Sequence, residues 1–184
     1  MGAPCVVVMG VSGAGKSTVG QALAQALRVE FLDADDQHDA AAVRKLSTGV
    51  ALDDTDRAPW LRRVRAAALA HGAGSVVACS ALRRSYRDIL RAPAAADGGE
   101  PRLDMVVVYL RVPTELLRNR LARRQGHFMA ASLLQSQLDA LDEPSPESEN
   151  VIVVDVTPEM CMDDIVSHAQ RAVRARLPAL GGGR

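Results

Sequence analysis

The most informative part of the sequence is the stretch Gly10-Val-Ser-Gly-Ala-Gly15-Lys16-Ser17. It follows the short apolar run Pro4 to Met9 and precedes a segment with Val19, Leu23 and Leu27 at helical spacing. A buried strand, a glycine-rich turn and a helix are therefore expected in this order. Glycines let backbone N–H groups point at an anion, and a helix N-terminus favours negative charge at the same place. The stretch predicts a phosphate-binding loop of the G-x-x-x-x-G-K-[ST] type.

Such a loop predicts a nucleoside triphosphate and Mg²⁺ as the bound groups. Lys16 is expected to reach the β- and γ-phosphates, and the Ser17 hydroxyl is expected to ligate the metal. The other residues predicted to bind the nucleotide are those of the loop and the one after it: Gly10, Val11, Ser12, Gly13, Ala14, Gly15 and Thr18. The alternative is a glycine-rich turn that merely precedes a helix, but the strand-like and helix-like flanks favour the phosphate-binding interpretation.

Apolar runs along the chain predict the fold class. Besides the first run, four short runs resemble strands buried on both faces: Glu30 to Leu32, Ser75 to Cys79, Met105 to Leu110 and Val151 to Val154. Helical patterns separate them. This alternation predicts an α/β fold in which a parallel five-stranded sheet is flanked by helices.

Domain boundaries follow from the same pattern. We expect a single domain over residues 3–177 and a flexible tail over 178–184. Thr55 or Asp56 is expected to cap one helix, and Thr157 with Pro158 is expected to open the last one. The segment 125–146 lies between a helix and a strand and is polar, so it is interpreted as a mobile lid.

Composition and charge exclude several classes of protein. The 184 residues carry 22 basic and 22 acidic side chains, which gives a net charge of zero and argues against nucleic acid or an anionic membrane as a partner. No apolar run approaches the roughly 20 residues of a membrane span. Cys5 and Cys79 lie in strand-like runs and are interpreted as buried, reduced thiols, which favours a cytoplasmic location.

Asp33-Ala-Asp35-Asp36 ends the second predicted strand. The carboxyl ends of parallel strands face the ligand crevice, and strand alternation would put Asp33 and Asp35 on one side. Phosphoryl transfer to a hydroxyl requires one carboxylate near Mg²⁺ and one to orient or deprotonate the acceptor. A solvated acidic turn is the alternative.

Arginines supply the candidate cations. Arg57, Arg83 and Arg87 follow predicted strands at the ligand edge and could form a pocket for an anionic group of the substrate. Arg120 and Arg124 lie at the entrance to the predicted lid, where their charges could meet the transferring phosphoryl group. Because the chain has 20 Arg and 2 Lys, a solvated surface remains the alternative for each of them.

The absence of certain motifs narrows the class of nucleoside triphosphate-dependent enzyme. No Asp has Gly three residues later and no Asn precedes a Lys, so a switch GTPase is disfavoured. The small size favours phosphoryl transfer to a small molecule. A shikimate-like or nucleotide kinase and a non-catalytic ATP-binding module remain as alternatives.

Several blocks together resemble the gluconokinase family of small P-loop kinases. Besides the loop, they are FLDADDQH (31–38), ALDDTDRAPWL (51–61), ACSALRRSYRDILR (78–91) and RQGHFMAASLLQSQLDALDEP (124–144). The resemblance runs from about Val6 to Val154. It implies ATP-dependent phosphorylation of D-gluconate at its 6-hydroxyl by a shikimate-kinase-like or adenylate-kinase-like core with a lid, with a homodimer as a possible assembly.

The resemblance also implies roles for individual residues. Asp35 would act on the acceptor hydroxyl, and Asp33 would hold a metal-bound water. Lys16, Asp35 and Arg124 are then the predicted catalytic residues. The predicted gluconate contacts are Asp35, Arg57, Arg83, Arg87, His127 and Gln137, although His127 could equally help to anchor the lid. Arg83 stands where the family usually has Lys, so a cation is kept with a different reach.

Overall fold

The computed structural model of the chain describes residues 3–48, 50, 52–91, 103–123 and 130–180. Five parallel strands form one sheet in the order β2-β3-β1-β4-β5. They are β1 (Ala3–Met9), β2 (Glu30–Asp33), β3 (Ser75–Ala78), β4 (Leu103–Arg111) and β5 (Val151–Asp155). The predicted α/β fold with a five-stranded parallel sheet is confirmed, and each strand lies within two residues of its predicted bounds.

Helices connect the strands in the described part of the chain. They are α1 (Lys16–Leu27), α2 (Ala40–Ser47), α3 (Asp54–Ala70), α4 (Arg84–Arg91), α5 (Thr114–Ala122), α6 (Ala130–Asp139) and α7 (Met162–Arg176), with short 3₁₀ turns at Ala34–Gln37 and Pro178–Leu180. None of the helices described combines the length and apolar character that a membrane span requires.

Both faces of the sheet are buried, which explains why its strands read as continuous apolar runs. Val6 and Val8 of β1 pack with Leu23 of α1 in a core on one face. Val7 packs with Leu61 of α3 in a core on the other face. Alternate residues of the central strand therefore enter different cores, so a polar substitution on either face would be buried.

The predicted burial of two cysteines is confirmed. Cys5 and Cys79 are both buried, and burial raises the pKa of each thiol to about 12. Both groups are therefore protonated thiols at neutral pH that pack as small apolar side chains, although Cys79 directly follows a strand that ends at the ligand edge.

Two predicted helix starts are wrong. The α3 cap is Asp53 rather than Thr55 or Asp56, because the Asp53 and Asp56 carboxylates each accept the other's backbone N–H, at 2.9 and 3.0 Å. The last helix begins at Met162, after Cys161, rather than at Pro158. There the Asp164 carboxylate accepts the Cys161 N–H at 3.0 Å and stabilises the later start.

Parts of the predicted lid and tail pack against the body of the protein. Leu134 of α6 is buried in the same core as Val6, and Asp142 donates its N–H to the Leu82 carbonyl at 3.0 Å. At the other end, Leu180 is buried, so the predicted tail boundary at residue 177 is too early. Residues 124–129 of the lid segment and 181–184 of the tail lie outside the described residues, and the mobility of the lid stays a prediction.

Candidate active site

The glycine-rich loop joins the end of β1 to the start of α1. Gly13 and Gly15 adopt φ values of 83° and 97°, which side chains with a Cβ rarely adopt. These turns let α1 begin at Lys16 with its N-terminus facing the loop. The Lys16 ammonium group donates to the Val11 carbonyl at 3.2 Å, so its charge lies over the loop.

An open cleft of about 180 Å³ lies beside this loop. Its walls are formed by loop residues and α1 on one side and by the carboxyl ends of β2 and β3 on the other. The lining residues are Ser12, Gly13, Gly15, Lys16, Ser17, Thr18, Asp33, Asp35 and Ala78. The fold thus brings together the four polar side chains that the sequence singled out for phosphate, metal and acceptor chemistry.

Ser17 and Asp33 form a directed pair at the end of β2. The Ser17 hydroxyl donates to Asp33 Oδ2 at 2.8 Å, and Asp33 Oδ1 accepts the backbone N–H of Asp35 at 3.1 Å. A hydroxyl and a nearby carboxylate fit Mg²⁺, which takes one or two protein oxygens and fills its other positions with phosphate and water. Within the described residues, no three His, Cys, Asp or Glu side chains cluster as a self-sufficient metal site, so the nucleotide would have to supply ligands.

Asp35 reaches the cleft for a different reason than strand alternation. β2 ends at Asp33, and Asp35 lies in the 3₁₀ turn that Asp33 caps. The Asp35 side chain is 85% exposed. The turn is fixed from below by Trp60, whose indole N–H donates to the Ala34 carbonyl at 2.7 Å. An exposed carboxylate on a fixed turn is suited to contact a ligand.

Arg57 and Arg83 converge on Tyr86 and Asp54. Arg57 donates to the Tyr86 hydroxyl at 3.0 Å, and Arg83 donates to Asp54 Oδ2 at 2.9 Å. Both guanidinium groups lie over the Tyr86 ring, 5.5 and 5.8 Å from its centre. Tyr86 also donates to Asp54. Two cations share one carboxylate here, so the cluster keeps a net positive charge.

The prediction that Arg87 joins this pocket is wrong. Its side chain is 1% exposed and forms a bidentate pair with Glu149, with both distances 2.8 Å. It also donates to the Ala81 and Leu82 carbonyls at 3.0 Å. A guanidinium so fully engaged has no free face for a substrate anion. The spacing of Arg83 and Arg87 suggested one shared face, but α4 begins only at Arg84, and the two side chains point to different partners.

Arg120 and Gln137 approach the loop from α5 and α6. Arg120 lies 3.4 and 3.3 Å from the carbonyl oxygens of Gly13 and Ala14. The side-chain oxygen of Gln137 accepts the Ser12 N–H at 2.6 Å. Gln137 therefore connects the predicted lid segment to the phosphate loop, whereas the sequence suggested a substrate contact. Arg124 and His127 lie outside the described residues.

Sequence reasoning missed several residues around the site. Asp54 and Tyr86 lie in the same sequence blocks as Arg57 and Arg83. Their polar side chains were therefore visible as candidates, but only the arginines were predicted to belong to the site. Glu149 gave no signal, because its burial depends on Arg87, far away in the sequence. His38 ended a quoted block without a role, and its ring stacks on Trp60.

Comparisons with known proteins found relatives along most of the chain. A family model described as an AAA domain matches residues 5–144. A gluconokinase of Gluconobacter oxydans (strain 621H) is 43% identical over 176 residues, which cover 90% of this chain and 90% of the relative. The crystal structure of a gluconokinase from Sinorhizobium meliloti 1021 is 40% identical, with a TM-score of 0.77 over 95% of this chain and 93% of that one.

A more distant solved structure extends the likeness in fold. Shikimate kinase from Acinetobacter baumannii, solved in complex with shikimate, aligns over 95% of this chain and 93% of its own with a TM-score of 0.58. At 22% sequence identity the likeness concerns the architecture of the sheet and its helices.

Proposed function

The chain belongs to the gluconokinase family, and from that premise we propose that it transfers the γ-phosphoryl group of ATP to the 6-hydroxyl of D-gluconate. The products are 6-phospho-D-gluconate and ADP. The observation that carries the proposal is the cleft lined by Lys16, Ser17, Asp33 and Asp35. It combines a phosphate cradle with two carboxylates, which are the groups that transfer to a hydroxyl requires.

The loop and Lys16 would act on the phosphates. Backbone N–H groups of the loop and the N-terminus of α1 favour the negative charge of the nucleotide. The Lys16 ammonium would move from the Val11 carbonyl to the β- and γ-phosphates and oppose the charge that redistributes during transfer. Arg120, which already borders the loop, would add positive charge there, and so would Arg124 if the lid closes.

Ser17 and Asp33 are the residues that would hold Mg²⁺. Bound there, the ion would neutralise the negative charge of the phosphates. The role of the protein at this point is to keep the Ser17 hydroxyl and the Asp33 carboxylate side by side, as their 2.8 Å hydrogen bond already does.

Asp35 would orient the acceptor. Its exposed carboxylate lies across the cleft from the loop and can accept a hydrogen bond from the 6-hydroxyl of gluconate. As the bond between this oxygen and the γ-phosphorus forms and the bond from that phosphorus to ADP breaks, the hydroxyl proton passes to the Asp35 carboxylate. The fixed 3₁₀ turn keeps Asp35 in place, which favours reaction of one hydroxyl over the others.

Arg57 and Arg83 would bind the carboxylate at the other end of gluconate. Together with Asp54 they carry a net charge of one positive unit, so one added carboxylate would bring the net charge of the cluster to zero. The side chains of Arg57 and Arg83 are 30% and 43% exposed, respectively, so a ligand can reach both.

Substrate specificity is tested by ADP production at saturating ATP with several acceptors. Gluconate, shikimate and a set of nucleoside monophosphates are compared, with ATP binding measured separately. Turnover with gluconate alone supports the proposal. Preferred turnover with shikimate or a nucleotide would make the chain a kinase of another small molecule, and ATP binding without turnover on any acceptor would make it a binding module.

The carboxylate pocket is tested with Arg57→Ala and the neutral analogue D-glucitol, in which CH₂OH replaces the carboxylate. We expect the KM for gluconate to rise about 10- to 100-fold, because one hydrogen bond to a charged group is lost. The KM for ATP should stay unchanged. With D-glucitol the substitution should change little. Arg118→Ala removes an exposed arginine that pairs with Glu115 and serves as the matched control. Equal losses with both acceptors would remove Arg57 from the carboxylate site.

Three further expectations from the sequence also remain predictions. They are closure of the lid over residues 125–146, a possible homodimer and a cytoplasmic location. Sedimentation of the purified protein with and without ATP and gluconate tests the assembly, and the same samples report any compaction on closure.

A further inference from the structure

We propose that His38 is a positioning residue for the reaction, and that its Nε2–H orients the carboxylate of Asp35 toward the acceptor hydroxyl. This inference rests on the proposed function, because it gives Asp35 the acceptor-facing role. It adds a second layer to the site, in which a buried ring fixes the group that meets the substrate.

The His38 ring is held rigidly beside Asp35. It stacks on Trp60 with ring centres 4.5 Å apart and planes 14° from parallel. Only 8% of its side chain is exposed, in contrast to 85% for Asp35. Trp60 in turn holds the Ala34 carbonyl, so one indole fixes both the histidine ring and the turn that carries Asp35. The stacking therefore fixes the plane of the ring beside the carboxylate.

The surroundings indicate which nitrogen carries the proton. The Nδ1 atom is buried and has no hydrogen-bond partner in the described part of the chain, while Nε2 faces Asp35. A buried N–H without an acceptor is rarer in folded proteins than an unsatisfied acceptor. The tautomer with hydrogen on Nε2 and a lone pair on Nδ1 is thus favoured, and it directs the ring's one donor at the carboxylate.

The charge state agrees with this assignment. Burial lowers the pKa of His38 and outweighs the opposing effects of Asp35 and Asp39, and Arg63 and Arg57 lower it further. The neutral ring is the predominant form at neutral pH. It can donate one hydrogen bond without adding a positive charge that would weaken Asp35 as a proton acceptor.

The Nε2 atom and Asp35 Oδ1 are 3.7 Å apart, slightly beyond hydrogen-bond length. Hydrogen bonds at catalytic groups are often long without substrate and tighten in the complex. Because the Asp35 side chain is exposed while His38 is fixed, rotation of the carboxylate closes the gap. One oxygen is then held by His38 and the other is presented to the acceptor.

A pair of substitutions separates hydrogen bonding from packing. His38→Phe keeps a ring against Trp60 and removes the donor, whereas His38→Gln keeps an N–H at similar reach. We expect His38→Phe to lower kcat with gluconate about 10- to 100-fold, with the KM for ATP and the melting temperature unchanged, and His38→Gln to restore most of kcat. Wild-type kcat in a folded His38→Phe would overturn the proposal, and so would an equal loss in both variants.

A double-mutant cycle tests the route through Asp35. In an Asp35→Asn background, His38→Phe should have little further effect on kcat, because the carboxylate that it positions is already gone. Losses that multiply would mean that His38 acts elsewhere, and would overturn the proposal.

An NMR measurement keeps the test independent of turnover. The ring resonances of His38, assigned by comparison with His38→Phe, should report the Nε2–H tautomer and shift in Asp35→Asn. A wild-type protein that does not phosphorylate gluconate would refute the proposed function, while the tautomer and its response to Asp35 would still decide the contact. An Nδ1–H tautomer would overturn it.

Discussion

At the scale of single residues, Lys16 supplies a charge that no backbone group of the loop can replace. Lys16→Met keeps the length of the side chain and removes the ammonium. We expect kcat to fall at least about 100-fold. This is the usual effect of removing one preorganised group that stabilises the charge developing in the transition state. The measurement is steady-state turnover with gluconate, and an unchanged melting temperature shows that the loop still folds. Near-normal turnover would contradict the proposed role of the loop.

Asp35 and Asp36 are adjacent exposed carboxylates, which makes them a matched pair. Asp35→Asn should lower kcat by about 100-fold or more, because the hydroxyl of gluconate loses the carboxylate that accepts its proton. The affinity for ATP should be nearly unchanged. Asp36→Asn, which lies outside the cleft lining, should leave kcat within a few-fold of the wild type. Isothermal titration with a non-hydrolysable ATP analogue provides the affinity. If Asp35→Asn weakened ATP and spared kcat, Asp35 would belong with Ser17 at the metal.

Residues that are set by local sequence could be predicted, and those that depend on distant partners could not. The loop residues Lys16 and Ser17 act through backbone geometry encoded within eight positions, so the motif was enough to predict where they lie. Arg87 looked like its neighbour Arg83, but its environment is decided by Glu149 and by two carbonyl groups. Nothing in the local sequence distinguishes a buried arginine from an exposed one.

At the scale of elements, Arg87 and Glu149 join α4 to the chain that enters β5. Removing one partner leaves the other charge buried, so Arg87→Met and Glu149→Leu should each lower the free energy of unfolding by about 3–5 kcal/mol. The double variant should lose clearly less than the sum of the two, because neither charge is then left alone. Urea denaturation of the four proteins measures the coupling. Additive losses of free energy would show that the interaction between Arg87 and Glu149 contributes little to stability.

Elements with a strong apolar pattern were predicted better than those without one. The strands and α1 follow from runs and stripes of Val and Leu that the two cores bury. Helix α2 was missed because Val43 and Leu46 are exposed, so no buried stripe marks it. The start of α3 was misread because the aspartates from 53 to 56 offer several possible caps, and only the reciprocal pair of Asp53 and Asp56 satisfies both N–H groups.

In the molecule as a whole, the sheet positions the phosphate loop, the two aspartates and Arg83 along one edge. The phosphate loop follows β1, Asp33 ends β2 with Asp35 just beyond it, and the segment with Arg83 follows β3. In the order β2-β3-β1, these strand ends are neighbours. The topology thus explains why segments far apart in sequence meet at one cleft, and sequence alone predicted this because parallel strands must end on the same side.

Acid stability of the molecule should depend on Glu149. Burial tends to raise the pKa of this carboxyl, but the hydrogen bond and charge of Arg87, with Arg84 and Arg91, hold it below its ordinary value of 4.5. The unfolded chain therefore takes up this proton first as the pH falls. The stabilisation is fully present well above pH 4.5 and is lost as the pH falls from there through the lower folded pKa.

Urea denaturation across pH 3 to 7 measures this effect. The stability difference between the wild type and Glu149→Gln should be largest at neutral pH and shrink in acid, where the wild-type carboxyl also becomes neutral. Glu147→Gln, at an exposed position nearby, is the control. A difference that stays constant across this range would mean that the charge of Glu149 does not stabilise the fold.

The central position of β1 has a consequence for how the chain acquires its structure over time. β1 pairs with β3 on one side and with β4 on the other, so it is made by the ribosome before either neighbour exists. Until β4 has emerged, one edge of this run of valines is unpaired and prone to aggregation. Closing such distant pairings is slow, because the loop entropy is lost before the contacts form. The strand that supports the phosphate loop is thus made before both of its neighbours and is paired on both sides only after β4 has emerged.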